Sequence, residues 1–231
     1  MHNVYNSSSH NKKMFELFAQ IKSVGFDLDN TLYQNNPEID GRIIAEIAKK
    51  ILEHNPKLNN LENAKNLCDK LYEETGSRTQ SLKNLGLQNA GEIVRQCMAQ
   101  ANFVDLIKPD KEAVQLIEDI HEKYFIFLIT STVSDMAIPR LNKIGLNEKL
   151  FDHTLFGESA LPNKKIDGSI FSYFLERSRY LSNEHIYIGD NLKGDILPPK
   201  FLGMKTIAIG KKIPEANYSV EKIYDIRSLL L

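Results

Sequence analysis

Short apolar runs alternate with stretches of helical periodicity along most of the chain. Five runs have the composition of strands and occupy 22–29, 124–130, 153–156, 185–189 and 205–210. Five amphipathic stretches are predicted as helices, at 110–122, 135–144, 168–180, 192–202 and 224–231. Strands that alternate with helices pair in parallel, and near-continuous apolar strands are covered on both faces. The pattern therefore predicts an α/β fold with a doubly wound, Rossmann-like parallel sheet.

A long segment after the first strand breaks this alternation. Between 39 and 103 no strand is indicated, and apolar residues such as Ile43, Ile47 and Ile51 recur at helical spacing. We expect three or four helices there. The predicted organisation is a core domain of 1–33 and 107–231 and a small all-helical domain of 34–106.

Prolines affect where two of the predicted helices can begin or break. Pro139 fits the first turn of the helix at 135–144 if that helix begins a little late. Pro198 and Pro199 imply either an early break or a helix whose first turn contains them.

Composition excludes several classes of protein. Hydrophobic residues make up 42% and charged residues 26%, which is ordinary for a globular chain, and the net charge of −1 favours neither nucleic acid nor membrane as a partner. Cys68 and Cys97 are far apart and are expected to be reduced thiols. The polar N-terminus lacks the apolar core of a signal peptide, so residues 1–13 are predicted to be a frayed leader and the protein to be cytoplasmic. The oligomeric state is not indicated.

Polar residues gather where the predicted strands end. They are Asp27, Asp29, Thr130, Ser131, Asp190 and Asp195, with Lys164 and Lys165 in a neighbouring loop. Ligands of doubly wound sheets bind at this edge. Clustered carboxylates repel unless a cation is present, and Mg²⁺ prefers oxygen ligands together with a substrate phosphate. Each signal alone would suit a turn or a helix cap, but their joint occurrence predicts a phosphoryl-transfer site.

Four motifs in this order resemble those of the haloacid dehalogenase superfamily, specifically its phosphatase-like members. They are FDLDNTL at 26–32, LITS at 128–131, KIDGSIF at 165–171 and IGDNLKGD at 188–195. The resemblance implies a Mg²⁺-dependent phosphohydrolase that cleaves a small phosphate monoester through an aspartyl-phosphate, with nucleotides and sugar phosphates as candidate substrates. It also implies that the segment 34–106 is a helical cap of the first subclass, which closes over the site.

The resemblance assigns a role to each matching residue. Asp27 is implied to be the nucleophile and a Mg²⁺ ligand. Asp29 is implied to be the general acid and base, with its backbone carbonyl on Mg²⁺. Lys165 would balance charge, and Asp190 would bind Mg²⁺.

Four further residues have implied roles. Thr130 and the backbone of Ser131 would bind the phosphoryl group, Thr31 would support the turn, and Asp195 would support the metal. Two departures matter: Ser131 stands where Asn is commoner, and Ile166 replaces a usual Pro, so Lys164 is an alternative to Lys165.

Other functions remain open at this point. Dehalogenases of the family usually lack an equivalent of Asp29. An acid at this position can protonate an alkoxide leaving group, so its presence argues for phosphate esters. Phosphomutases share the core residues, and a non-catalytic binding protein could keep the fold. Arg78, Gln80 and Lys83 either face the substrate or form a solvated helix face, and Tyr33 either lines the entrance or packs.

Overall fold

The computed structural model describes residues 18–34, 36–158 and 164–231. The leader predicted at 1–13 lies outside the described residues. The chain divides into two compact units, one comprising the described residues up to Gln34 together with Pro109–Leu231, the other Asn35–Lys108. Among the described helices, none combines the length and apolarity that crossing a bilayer requires.

The larger unit is built on a parallel sheet of six strands. They are β1 Ser23–Phe26, β2 Phe125–Ile129, β3 His153–Leu155, β4 His185–Gly189, β5 Lys205–Ile209 and β6 Tyr218–Val220. Their order is β3-β2-β1-β4-β5-β6, and every pairing is parallel. The predicted α/β class and doubly wound sheet are confirmed. The strand order reverses between β1 and β4, the point where such sheets bind ligands.

Helices belong to both units. The helical unit contains α1 Pro37–His54, α2 Leu61–Thr75, α3 Arg78–Asn84 and α4 Ala90–Ala101. The sheet unit contains α5 Lys111–His121, α6 Ser134–Ile144, α7 Ser169–Leu175, α8 Leu197–Phe201 and α9 Arg227–Leu230. Short 3₁₀ turns lie at Pro56–Leu58, Val104–Leu106, Glu148–Leu150, Ser182–Glu184 and Ile223–Ile226.

Helix α1 shows why the helical unit folds as the apolar spacing predicts. Its buried stripe includes Ile43, Ile47 and Ile51, and this periodicity places them on one helix face. The side chain of Asn36 accepts hydrogen bonds from two backbone N–H groups of the first turn, which caps the helix.

The end of the sheet differs from the prediction. Strand β6 was not predicted, because it has three residues and follows β5 through the short connection 210–217 without a crossover helix. The helix predicted at 224–231 is a 3₁₀ turn, Ile223–Ile226, followed by the single turn of α9.

The suggestion that Pro139 lies in a first turn is wrong, because α6 begins at Ser134 and contains Pro139 in its interior. The start of α6 is set from a distance: the N–H of Ser134 donates to both carboxylate oxygens of Glu158, at 2.9 and 3.1 Å. An exposed proline at this point removes one intrahelical hydrogen bond without ending the helix.

Two more predicted helices differ from the prediction. The helix at 168–180 ends at Leu175, and Ser178 then accepts a hydrogen bond from the N–H of Tyr180, which turns the chain toward β4. The helix at 192–202 is divided into a π-helical turn, Leu192–Ile196, and α8. Pro198 and Pro199 lie in the first turn of α8, since neither can donate to a preceding turn.

Gly25 in the middle of β1 allows an aromatic core to pack on the sheet. A Cβ atom at Gly25 would lie 2.1 Å from Cζ of Phe127. The Phe127 ring is buried and stacks on Phe174 with ring centroids 4.1 Å apart. Hence the ring occupies the space that any side chain at position 25 would need.

We expect Gly25→Ala to lower the free energy of unfolding by about 1–3 kcal/mol, because the buried ring must move from its packed position. Phe127→Leu shortens the clashing group, so the double variant should be more stable than the sum of the two single changes predicts. Urea unfolding of the four proteins measures this. Additive effects would show that the contact does not limit packing.

Candidate active site

The register of the sheet brings three chain segments to one edge. Phe26 at the end of β1 lies opposite Leu128 of β2 and Ile188 of β4. The N–H of Asp27 donates to the carbonyl of Ile188 at 2.9 Å, which continues the ladder one residue beyond β1. Residues that follow β1, β2 and β4 therefore meet at the switch point of the sheet.

Asp27, Lys165 and Asp195 form a buried charged group at this edge. Lys165 Nζ lies 2.6 Å from Asp27 Oδ1 and also forms an ion pair with Asp195 Oδ1. Thr31 donates its hydroxyl to the other oxygen of Asp27 at 3.3 Å. Burial lowers the pKa of Lys165, but the carboxylates of Asp195 and Asp27 raise it well above its usual value. Lys165 is therefore charged, whereas Lys164 is exposed to solvent.

The loop after β4 supplies two further carboxylates. Asp195 accepts a hydrogen bond from the N–H of Asn191 at 2.9 Å and packs against Gly189, where a Cβ would lie 2.5 Å from Asp195. Asp190 accepts a hydrogen bond from the side chain of Asn30 at 2.7 Å. Burial, and to a smaller extent the negative charge of Asp195, raise the pKa of Asp190 to about 6.

Oxygen atoms of Asp27, Asp190 and Asp195 lie within 4.8 Å of one another. Within the described part of the chain, they form a group of hard oxygen donors of the kind that a divalent cation prefers. Lys165 offsets only part of their negative charge. The site can therefore hold a cation, and the side chain of Asp29 lies outside this group.

Asp29 has different neighbours from Asp27. Its Oδ1 accepts hydrogen bonds from Arg140 Nη1 at 2.6 Å and from the Tyr33 hydroxyl at 2.5 Å, and its Oδ2 accepts one from the Thr132 hydroxyl at 2.5 Å. Burial raises the pKa of Asp29, but Arg140 and the two hydroxyl donors together bring it below its usual value. This carboxylate is held in its charged form.

The end of β2 supplies hydroxyl and backbone groups beside Asp27. Thr130 is buried, and its Oγ1 accepts the N–H of Thr132 at 3.1 Å, which leaves its hydroxyl hydrogen for a ligand. Ser131 is exposed. A Cβ at Gly157 would lie 2.4 Å from the carbonyl oxygen of Ser131, so only glycine allows the chain to pass so close to this turn.

The sequence reasoning missed three residues of the site and left a fourth undecided. Arg140 lies on the buried face of α6 with Ala137, Leu141 and Ile144, and a charged residue at that helical spacing was an available signal. Thr132 carried no signal beyond adjacency to a motif, and Asn30 carried none beyond its place inside the first motif. Tyr33 was left open and donates to Asp29.

Arg78, Gln80 and Lys83 of the helical unit were considered as residues that either face the substrate or form a solvated helix face. Gln80 and Lys83 are exposed, and Gln80 donates to Asn84 at 2.8 Å along its own helix. The guanidinium of Arg78 lies 4.6 Å from the centroid of the Tyr72 ring. The contacts of Gln80 with Asn84 and of Arg78 with Tyr72 favour a solvated helix face over a ligand site.

Residues 24–209 match the haloacid dehalogenase-like hydrolase family, so the chain belongs to that family. The predicted family and the predicted class of enzyme, a hydrolase, are confirmed. A glyceraldehyde 3-phosphate phosphatase from Methanocaldococcus jannaschii is 26% identical over 218 residues, covering 90% of this chain and 94% of that protein.

Solved structures show the same fold. The 2-haloacid dehalogenase of Pseudomonas syringae pv. Tomato DC3000 has a TM-score of 0.56 and 21% identity, with 91% of this chain and 98% of that chain covered. The hydrolase YfnB of Bacillus subtilis, solved bound to magnesium, has a TM-score of 0.61 and 19% identity with the same coverage. At such identity the likeness establishes the fold alone, and the reaction must be argued from the site.

We expect Lys165→Met to destabilise the protein by about 3–5 kcal/mol, because it leaves buried carboxylates without their counter-charge. Lys164→Met removes the same group from the exposed neighbouring position and should change stability by less than about 0.5 kcal/mol. Chemical unfolding in the presence of EDTA compares the two variants. Equal losses would contradict the assignment of the buried lysine to Lys165.

Proposed function

We propose that this protein is a Mg²⁺-dependent phosphohydrolase that cleaves a small phosphate monoester through a phosphorylated Asp27. The observation that carries the proposal is the position of Asp27. Its carboxylate contacts Lys165 and belongs to the group of oxygens that can hold a cation. A buried carboxylate between two sources of positive charge can attack a phosphoryl group whose negative charge would otherwise repel it.

Asp27 and Asp190 would hold the metal, with Asp195 beside them in the same group of hard oxygen donors, which suits Mg²⁺. When bound, Mg²⁺ would neutralise negative charge on the phosphoryl oxygens and orient them. A structural relative bound to magnesium supports the choice of ion. The participation of the Asp29 carbonyl stays a prediction, as does the purely supporting role of Asp195.

The reaction has two halves. In the first, an oxygen of Asp27 attacks phosphorus in line and the bond from phosphorus to the leaving oxygen breaks. Thr130 and the Ser131 backbone would donate hydrogen bonds to the phosphoryl oxygens, and Lys165 would balance their charge. In the second, water attacks the same phosphorus and Asp27 is released.

Asp29 would serve both halves as acid and then as base. Three donors hold it in the charged form, which is the form that accepts a proton from water. Protonation of the leaving group requires the neutral form, so we expect esters with good leaving groups to react more readily. A halide leaving group needs no proton, and the presence of this carboxylate favours a phosphatase over a dehalogenase.

The substrate class is proposed from the chemistry of the site and from the similarity to the Methanocaldococcus jannaschii phosphatase. That relative is named for a phosphorylated triose, so small sugar phosphates are the first candidates and nucleotides the second. That the segment 34–106 is a cap which selects the leaving group remains a prediction.

The decisive test concerns Asp29→Ala with an aryl phosphate. The good leaving group needs little protonation, so the first half should partly survive, whereas the water of the second half loses its base. General acid–base help is worth roughly 10²–10⁴-fold, so the phosphorylated enzyme should accumulate. Intact-protein mass spectrometry should show an increase of about 80 Da, the mass of one phosphoryl group on the nucleophile.

Asp27→Ala is the matched control and should give neither turnover nor added mass. Peptide mapping should place the phosphoryl group on Asp27. A phosphoryl group on any other residue would contradict the proposal, because the nucleophile would have been misassigned.

Turnover should be lost in excess EDTA and restored by Mg²⁺, with Ca²⁺ much less effective. Ca²⁺ takes more ligands at longer distances and would engage both oxygens of Asp27, which removes the attacking oxygen. Asp190→Asn should raise the Mg²⁺ concentration needed for half-maximal activity, whereas Asp225→Asn at an exposed site should not. Full activity in EDTA would exclude the metal.

A further inference from the structure

Arg140 is the charged side chain whose burial is least expected from the sequence. Its side chain is only 2% exposed, on the face of α6 that also buries Ala137 and Leu141. Arginine is rarely buried to this extent unless it is paired, because its charge must leave water. It forms an ion pair with Asp29, with Nη1 2.6 Å from Oδ1.

Arg140 acts together with two hydroxyl groups from other parts of the chain. Tyr33 follows the turn after β1 and Thr132 follows β2, and both donate to the carboxylate of Asp29. Arg140 Nη1 also lies 3.4 Å from Thr132 Oγ1. Both oxygens of Asp29 are thus held from three separate elements, so the carboxylate cannot rotate without losing a hydrogen bond.

A purely stabilising role does not account for this arrangement. A buried ion pair is seldom more stabilising than apolar side chains of the same size. The specific effect of the Arg140–Asp29 pair is to fix the direction of the Asp29 carboxylate, and Asp29 is the proposed acid and base. Asp29, which Arg140 contacts, is not a member of the cation group.

We propose that Arg140 is a positioning residue that fixes the orientation of the Asp29 carboxylate for hydrolysis of the phosphorylated enzyme, with Tyr33 and Thr132 as its partners. The inference rests on the proposed function. In that step an O–H bond of water breaks and the proton passes to Asp29, while the water oxygen bonds to phosphorus. The bond from phosphorus to Asp27 breaks and its electron pair returns to the Asp27 carboxylate. Arg140 donates a hydrogen bond throughout and touches no reacting atom.

The test measures kcat, KM and the phosphorylated fraction of Arg140→Gln at steady state on an aryl phosphate. Misplacing a reacting group by about 1 Å can cost roughly 10²-fold in rate. We expect kcat to fall by up to about 10²-fold with KM not raised, while the fraction carrying an added phosphoryl group rises. Arg140→Lys keeps a charged donor and should recover part of kcat. Arg227→Gln, which breaks an exposed ion pair with Asp119, should behave as the unmodified protein.

A structural role alone would produce a different pattern. If Arg140→Gln only reduces the amount of folded protein, kcat falls in proportion to that amount and the phosphorylated fraction of the folded enzyme stays unchanged, which would overturn the inference. Tyr33→Phe and Thr132→Val each remove one donor with little change of shape. They should raise the phosphorylated fraction even if Arg140→Gln fails to fold, and no rise in either would also overturn the inference.

The two proposals fail in distinguishable ways. If Asp29→Ala accumulates phosphorylated Asp27 and Arg140→Gln does not, the proposed function stands and the positioning role is wrong. If no variant, Asp29→Ala included, ever carries a phosphoryl group on Asp27, the proposed function itself is wrong.

Discussion

The ammonium group of Lys165 lies between the carboxylates of Asp27 and Asp195 at the point where the order of the parallel strands reverses. Parallel strands bring all their carboxyl ends to one edge, so acidic residues placed after β1 and β4 must meet there. Their repulsion would otherwise raise the free energy of the folded chain. One buried lysine offsets part of that charge, and the remainder is what makes the edge suitable for a cation and a phosphate.

Two aspartates only two positions apart have different surroundings, although Leu28 between them is buried in the core. Asp27 faces residues around β4 and shares its region with other carboxylates. Asp29 faces β2 and α6, where its neighbours are donors. One environment suits a nucleophile beside a cation, and the other suits a group that exchanges protons with substrate and water. Both aspartates lie beyond the end of β1 at Phe26, where the turn closed on the Leu28 carbonyl gives each of them different neighbours.

The local pattern of apolar and polar residues was enough to predict the bounds of several of the longer elements. Strands β2 and β4 and helix α5 were predicted within one residue of their ends, since burial and periodicity are properties of neighbouring residues. Prediction failed where distant residues decide the outcome. Glu158 sets the start of α6, and pairing with β5 creates β6 from three residues, too few for a strand to be predicted from them alone. Within the site, Arg140 was missed although its place on the apolar helix face was a signal, because the partner that explains its burial is 111 positions away.

The sequence by itself determined the alternation of strands and helices, the family, and the acidic residues that follow the strands. These follow from the spacing of side chains along a helix or strand and from motifs read in order. Tertiary structure decided between Lys164 and Lys165 as the buried lysine, and it separated Asp29 from the cation group. Such outcomes depend on contacts like that of Asp27 with Lys165, 138 positions apart. Which of two adjacent lysines is buried depends on such distant contacts, and no local pattern encodes them.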